Sequence, residues 1–149
     1  MTPKVPGFQF SGVSAGIKKG KKPDIALIYS ENPATVAGVF TTNRVQAAPV
    51  LVSKRNIKSG KCRAVIINSG NANACTGKQG LRDAERMVSE VARRLKVPKR
   101  EVLVCSTGVI GKPLPMKKIL NGIPKAVGSL GSGHLMQAAR AILTTDNGV

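Results

Sequence analysis

Residues 105–111, which read Cys-Ser-Thr-Gly-Val-Ile-Gly, combine hydroxyl groups with glycines in a pattern that could stabilise negative charge on oxygen. They follow a short apolar run at 102–104, so we predict a strand that ends in a glycine-bracketed turn. Backbone N–H groups and a hydroxyl in such a turn can hold the oxygen that becomes charged in acyl transfer. The same pattern also suits a turn that only connects two elements, and this segment alone leaves both interpretations open.

A second strand-and-loop pattern lies upstream, where the apolar residues 64–67 lead into a loop at 68–77 rich in Gly and Asn. An amphipathic helix follows, which is the setting of a phosphate-binding loop. However, Ala72 stands where a Walker A loop needs glycine, and Gln79 stands where it needs Ser or Thr. We therefore expect no magnesium–nucleotide site. The simpler interpretation is that the Asn side chains brace turns and tolerate left-handed backbone.

The elements that must position these segments follow an α/β pattern. Strands are predicted at 25–30, 36–42, 64–68 and 102–105, and helices at 83–96, 115–123 and 135–143. The chain has no Trp, one Tyr and three Phe, so its core depends on Val, Ile, Leu and Ala. Pro and Gly are scattered, with no linker, repeat or low-complexity run, and we predict a single domain over residues 1–149.

The net charge of +17, from 24 Lys and Arg against 7 Asp and Glu, makes nucleic acid the first partner to consider. The basic clusters carry almost no aromatic side chains for stacking, and no nucleic-acid-binding signature is present, so nucleic acid is not the expected partner, although the charge alone leaves that alternative open. A basic chain is also explained by an acidic partner chain or a solvated Lys-rich surface, and it would attract anionic substrates.

Three cysteines, Cys62, Cys75 and Cys105, are odd in number and widely spaced, so we expect neither a disulfide framework nor a metal site. Reduced and mostly buried thiols are expected instead. The single histidine, His134, is expected at the surface or in a loop. No segment has the length and apolar character of a membrane span or a signal core, and the cytoplasm is the expected location.

Several segments, taken in order, closely resemble the N-terminal part of the bifunctional ornithine acetyltransferases, the glutamate N-acetyltransferases of arginine biosynthesis. The resemblance includes the two loops described above and extends over nearly the whole chain. The segments are residues 10–18, 37–43, 47–50, 68–77, 106–116 and 141–147. It implies an α/β fold of mixed β-sheets layered with helices.

The resemblance also implies an activity. Members of this family move an acetyl group from N-acetylornithine to glutamate through an acetyl-threonine intermediate, and some accept acetyl-CoA as a donor; no cofactor or metal is implied. The oxyanion hole of the family corresponds here to the hydroxyl of Thr107 and the backbone N–H of Gly108. A substrate contact of the family corresponds to Thr144.

Family members are made as precursors that cleave themselves at an Ala-Thr bond, which frees a threonine as the nucleophile. No such bond follows Thr144 before Val149, so the resemblance implies an α chain, completed by a β chain that begins with the nucleophilic Thr, in an α2β2 assembly. Residues 131–136 imitate the cleavage motif without an Ala-Thr bond, and we expect a loop there with Ser132 as a helix cap. The alternative function is a non-catalytic basic binding module for nucleic acid or an acidic partner.

Overall fold

The computed structural model describes residues 4–146 and residue 148. A four-stranded mixed sheet lies at the centre of the described chain, with its strands ordered along the sheet as they are along the sequence. The second strand is antiparallel to both the first and the third, whereas the third and fourth strands are parallel. The strands are β1 (Phe8–Val13), β2 (Ile25–Thr35), β3 (Lys61–Asn71) and β4 (Val102–Val109). This sheet, together with its helices, confirms the predicted α/β class.

The helices connect and cover the strands. A helix and a single 3₁₀ turn (Ile57–Ser59) lie between β2 and β3. A long helix and another 3₁₀ turn (Lys99–Glu101) connect β3 to β4, because two parallel strands require a crossover connection. Two further helices follow β4. The helices are α1 (Ala48–Asn56), α2 (Gly77–Leu95), α3 (Met116–Gly128) and α4 (Leu135–Ile142).

Apolar side chains form a layer on each side of the sheet, because successive side chains along a strand point to opposite faces. The larger layer joins β2, β3 and β4 to α1, α2 and α3, with the largest fully buried aliphatic groups at Ile25, Leu27, Ile66, Met87 and Ile119. Each such side chain contributes about 1.5–3 kcal/mol by leaving water. The smaller layer lies under α4 and contains Phe10, Ala26, Ala138 and Ala141.

The structure of the N-terminal half differs from the prediction at three points. The strand predicted at 36–42 is wrong: Val39 is 100% exposed, and the segment pairs with no strand among the described residues. Strand β1 and helix α1 were not predicted. Helix α1 has nine residues, two of them valines, and a helix this short is marginal in isolation, so its helical state depends on packing against the sheet.

Element boundaries differ for identifiable reasons. Helix α2 begins at Gly77 rather than at residue 83, because its first turns are polar and lie outside the apolar periodicity. Helix α3 continues through Pro124 to Gly128, beyond the predicted end at residue 123. Ser132 is not a cap: His134 occupies the position before α4, and no side chain there makes a capping bond.

The cysteines and the histidine are also defined. All three thiols are free, but only Cys62 is buried, so the expectation of mostly buried thiols is wrong for Cys75 and Cys105. His134 is half-buried in a loop, with Nδ1 bonded to the carbonyl oxygen of Ser129 at 2.9 Å. Among the described helices, none combines the length and apolar character needed to cross a bilayer. Within residues 4–146 and 148, no group of three or more His, Cys, Asp and Glu side chains is arranged to hold a metal ion.

Candidate active site

Thr107 and Gly108 lie within β4, and not in a turn as the sequence pattern predicted. The strand continues to Val109, and its parallel pairing places Thr107 opposite Ser69 and Gly108 opposite Gly70. The polar segments of the two strands, which the sequence presents as separate loops, are therefore side by side. The chain bends only after the strand, at residues 110–111.

The two strands approach so closely at this point that only glycine fits. A Cβ atom on Gly108 would lie 2.4 Å from the carbonyl carbon of Gly70 and 2.5 Å from the backbone nitrogen of Asn71. Both glycines also have positive φ angles, 131° at Gly108 and 98° at Gly70, which L side chains rarely adopt. Gly108 is therefore required both by its own backbone conformation and by the backbone of β3.

Strand β4 is the edge of the sheet, and α1 covers only the first part of that edge. The hydroxyl of Ser53 donates to the carbonyl oxygen of Val104 at 2.7 Å and accepts the N–H of the same residue at 2.9 Å. The side-chain amide of Asn56 donates to the carbonyl oxygen of Val102 at 2.8 Å. These bonds satisfy an edge that would otherwise be free to pair with another chain.

The alternation of backbone groups places the N–H of Gly108 on the uncovered part of this edge. Val104 directs its N–H and C=O outward to Ser53, whereas Val109 directs its C=O inward to the N–H of Ala72 at 3.0 Å. Because consecutive residues of a strand alternate between the two sides, Gly108 faces outward. No hydrogen bond from a described residue outside the sheet occupies that side of Gly108. Among the described residues outside the sheet, the N–H of Gly108 therefore has no hydrogen-bond partner, and it lies next in sequence to the hydroxyl-bearing Thr107.

Replacing Ser53 with Ala tests the covering of this edge. The substitution would leave the buried N–H and C=O of Val104 without their side-chain partner, so we expect a loss of about 1–3 kcal/mol in the free energy of unfolding. Urea denaturation measures it. The control is Ser132→Ala, which removes an exposed hydroxyl that caps no helix and should change stability by less than about 0.5 kcal/mol. Equal effects would show that Ser53 does not support the edge.

Three buried asparagines shape the loop that follows β3. Asn68 donates to the carbonyl oxygen of Asn71 at 2.8 Å and accepts the hydroxyl of Ser106 at 2.6 Å. Asn73 donates to the carbonyl oxygen of Gly80 at 2.9 Å and itself has a left-handed backbone, with φ 48°. These contacts agree with the interpretation that the asparagines brace turns, and they hold the polar ends of β3 and β4 in a fixed arrangement.

The segment that contains Thr144 is held near the same part of the sheet. The hydroxyl of Ser69, the residue opposite Thr107, donates to the carbonyl oxygen of Ala141 at the end of α4. The ammonium group of Lys18 donates to the carbonyl oxygen of Leu143 at 2.8 Å, and its Cγ lies 3.0 Å from the position a Cβ would take on Gly70. Thr144 is exposed and follows directly. The strands and Lys18 thus bring the predicted site residues into one region.

Lys18 is fixed in place by a buried carboxylate. Asp24 is fully buried, and its two oxygens accept the backbone N–H groups of Ala15, Ile17 and Lys18 at 2.7, 2.6 and 3.0 Å. Partial burial lowers the pKa of the Lys18 ammonium, and the negative charge of Asp24 opposes that shift. The loop thereby presents a cation beside the Thr144 segment, where it suits an anionic ligand.

Comparisons with known proteins identify the family. A sequence profile of the ArgJ family matches residues 9–148. The chain belongs to the ArgJ family. It is 58% identical over 142 residues to the arginine biosynthesis bifunctional protein ArgJ of Geobacter sulfurreducens, covering 95% of this chain and 36% of that protein. The corresponding ArgJ protein of Caldanaerobacter subterraneus is 57% identical over 140 residues, with 94% and 34% covered. The chain thus spans about a third of the length of these relatives.

Two solved structures share the fold. The ornithine acetyltransferase of Mycobacterium tuberculosis in complex with ornithine has a TM-score of 0.92 and 46% identity, covering 95% of this chain and 78% of that one. The ArgJ protein of Bacillus halodurans has a TM-score of 0.87 and 44% identity, covering 96% and 75%. These matches confirm the resemblance proposed from the sequence segments.

The sequence patterns did not predict individual roles for Lys18, Ser53 and Asn68 in this region. Lys18 and Asn68 lie within segments that carried the resemblance, but their contacts depend on which strands are neighbours. Ser53 lies in a helix that was not predicted, and only the tertiary structure reveals that it faces the edge of β4.

Proposed function

We propose that this chain is the α-chain portion of an ornithine acetyltransferase, in which it supplies the oxyanion hole and part of the substrate site. The observation that carries the proposal is the outward-facing N–H of Gly108 on the uncovered edge of β4, adjacent to the hydroxyl of Thr107. Membership in the ArgJ family and the fold shared with an ornithine acetyltransferase support the same activity. The proposed location is the cytoplasm.

The proposed reaction has two acyl transfers, and in both of them Thr107 and Gly108 stabilise negative charge on the carbonyl oxygen. In the first, the hydroxyl of a threonine at the start of the β chain attacks the carbonyl carbon of N-acetylornithine, a proton passes to the departing amine, and ornithine leaves. In the second, the amine of glutamate attacks the acetyl-threonine ester and the threonine hydroxyl is restored. Each step passes through a tetrahedral intermediate whose carbonyl oxygen carries negative charge, which Thr107 and Gly108 stabilise.

Thr144 and its surroundings form the substrate side of the proposed site. The exposed Thr144 contacts the substrate, and the ammonium group of Lys18 beside it favours ligands that carry a carboxylate, as both N-acetylornithine and glutamate do. Acetyl-CoA as an alternative donor and an α2β2 assembly belong to the same proposal. The excess positive charge of the chain attracts anionic glutamate at low ionic strength.

The proposal is tested by co-producing this chain with the remaining part of an ArgJ polypeptide, taken from the Geobacter sulfurreducens relative. We expect transfer of acetyl groups from N-acetylornithine to glutamate, with a mass increase of one acetyl group on the N-terminal peptide of the second chain when glutamate is withheld. The comparison preparation carries Thr107→Val. An assembled protein that forms neither the acetylated peptide nor N-acetylglutamate would contradict the proposal.

A further inference from the structure

Two asparagines of β3 form side-chain hydrogen bonds with residues on either side of the proposed oxyanion hole. One bond reaches β4 just before Thr107, and the others reach the segment that follows β4. Asn68 accepts the hydroxyl of Ser106, immediately before Thr107, at 2.6 Å. Asn71 donates its side-chain amide to the carbonyl oxygens of Lys112 and Pro113 at 3.1 and 3.0 Å. The two asparagines are themselves joined, because the amide of Asn68 donates to the carbonyl oxygen of Asn71 at 2.8 Å.

Both side chains are buried, and their hydrogen bonds are specific. Asn68 is 0% and Asn71 is 5% exposed. An amide buried without partners would be strongly destabilising, and asparagine is unfavourable in the interior of a strand. Here Asn68 uses both ends of its amide, and Asn71 also accepts the N–H of Asn73 at 2.9 Å. Asn68 therefore places a polar group inside β3, where an apolar group would be expected, and Asn71 places a second one at the last residue of the strand.

Thr107 and Gly108 need such support because the pair formed by Gly70 and Gly108 contributes no cross-strand side-chain contact. Gly70 and Gly108 face each other without side chains, and β4 pairs with a neighbouring strand on one side only. The part of the edge covered by Ser53 ends at Val104. An oxyanion donor must be held in place before the reaction begins, and a displacement of about 1 Å can cost on the order of 10² in rate.

We propose that Asn68 and Asn71 form a clamp that positions Thr107 and Gly108 for catalysis, with Ser106 as the contact at its first end. They are positioning residues, since they act through β4 and do not touch the reacting atoms. The inference rests on the proposed function, because positioning has a kinetic consequence only if the donors serve the reaction.

Ser106→Ala is the mildest test, because it removes one hydroxyl from the clamp and leaves both asparagines in place. In the assembled enzyme we expect kcat to fall by about 10-fold with KM changed by less than about 2-fold, since the lost interaction acts on the transition state. Ser106→Thr keeps the hydroxyl and should restore most of the rate. The control is Ser11→Ala: Ser11 is fully buried, no described residue bonds its hydroxyl, and its loss should leave kcat unchanged.

Two further measurements distinguish positioning from general stability. Amide hydrogen exchange should accelerate at residues 106–109 in Ser106→Ala while it stays unchanged in α2 and α3. In a Thr107→Val background, Ser106→Ala should lower kcat by less than about 3-fold, because residues that act as one unit are not additive. The clamp would be overturned if the effects of Ser106→Ala and Thr107→Val on kcat were fully additive. It would also be overturned if Ser106→Ala lowered kcat without faster amide exchange in β4.

The same experiments separate this inference from the proposed function. If Thr107→Val lowers kcat and Ser106→Ala leaves it unchanged, the clamp is wrong and the oxyanion hole stands. If Thr107→Val and Gly108→Ala both leave kcat unchanged, the oxyanion assignment is wrong and a catalytic role for the clamp is overturned with it. Faster exchange in Ser106→Ala would then assign the asparagines a structural role only.

Discussion

Gly108→Ala is expected to abolish most of the acetyl transfer and to destabilise the chain. The added methyl group would meet backbone atoms of Gly70 and Asn71 at 2.4 and 2.5 Å, and these atoms cannot move without breaking the pairing of β3 with β4. The φ angle of 131° adds strain for any L side chain. We expect a loss of about 2–4 kcal/mol in the free energy of unfolding. Because the N–H of residue 108 would also shift, kcat should fall by at least about 100-fold.

The matched control is Gly128→Ala. Gly128 is exposed at the end of α3, and a Cβ there would meet nothing within 4 Å, so alanine should be neutral or stabilise by up to about 1 kcal/mol. Chemical denaturation and steady-state kinetics of the assembled enzyme measure both effects. If Gly108→Ala matched Gly128→Ala in stability and rate, the close approach of the two strands would have no importance.

The sequence permitted a candidate site to be proposed because the residues of that site lie in short contiguous segments. Thr107 and Gly108 are adjacent, and the resemblance to ornithine acetyltransferases rests on residue types within single segments such as 68–77 and 106–116. Helix α2 was predicted because its buried residues recur with helical spacing, including Met87, Val88 and Val91. Local patterns of this kind need no knowledge of which elements are neighbours.

The surroundings of the site could not be predicted, because they depend on strand register. The pairing of Gly70 with Gly108 makes glycine obligatory at both positions, but the sequence alone is equally consistent with an ordinary turn after β4. The bond between Asn68 and Ser106 crosses the same register. In the same way, apolar residues at 36–42 predicted a strand that lacks a partner among the described strands, since a strand requires a neighbour as well as a favourable composition.

Thr107→Val is expected to lower kcat by on the order of 10²-fold while KM changes little. Valine preserves the shape and the β-branching of threonine, so the strand should be retained and only the hydroxyl donor is lost. The N–H of Gly108 remains, which accounts for residual activity above that of Gly108→Ala. Self-cleavage, as the resemblance to ornithine acetyltransferases implies it, would also pass through an oxyanion, so the kinetics should be measured on fully processed protein, with the fraction processed determined by mass spectrometry.

Two companion variants make this result specific to the hydroxyl. Thr107→Ser restores a hydroxyl at the same position and should recover much of kcat, whereas Thr35→Val removes an exposed hydroxyl at the far end of β2 and should leave kcat unchanged. A loss of rate in Thr107→Ser as well as in Thr107→Val would indicate that the methyl group of Thr107 contributes in addition to its hydroxyl. An unchanged kcat in Thr107→Val would remove the hydroxyl from the mechanism and leave the N–H of Gly108 as the only oxyanion donor proposed for this chain.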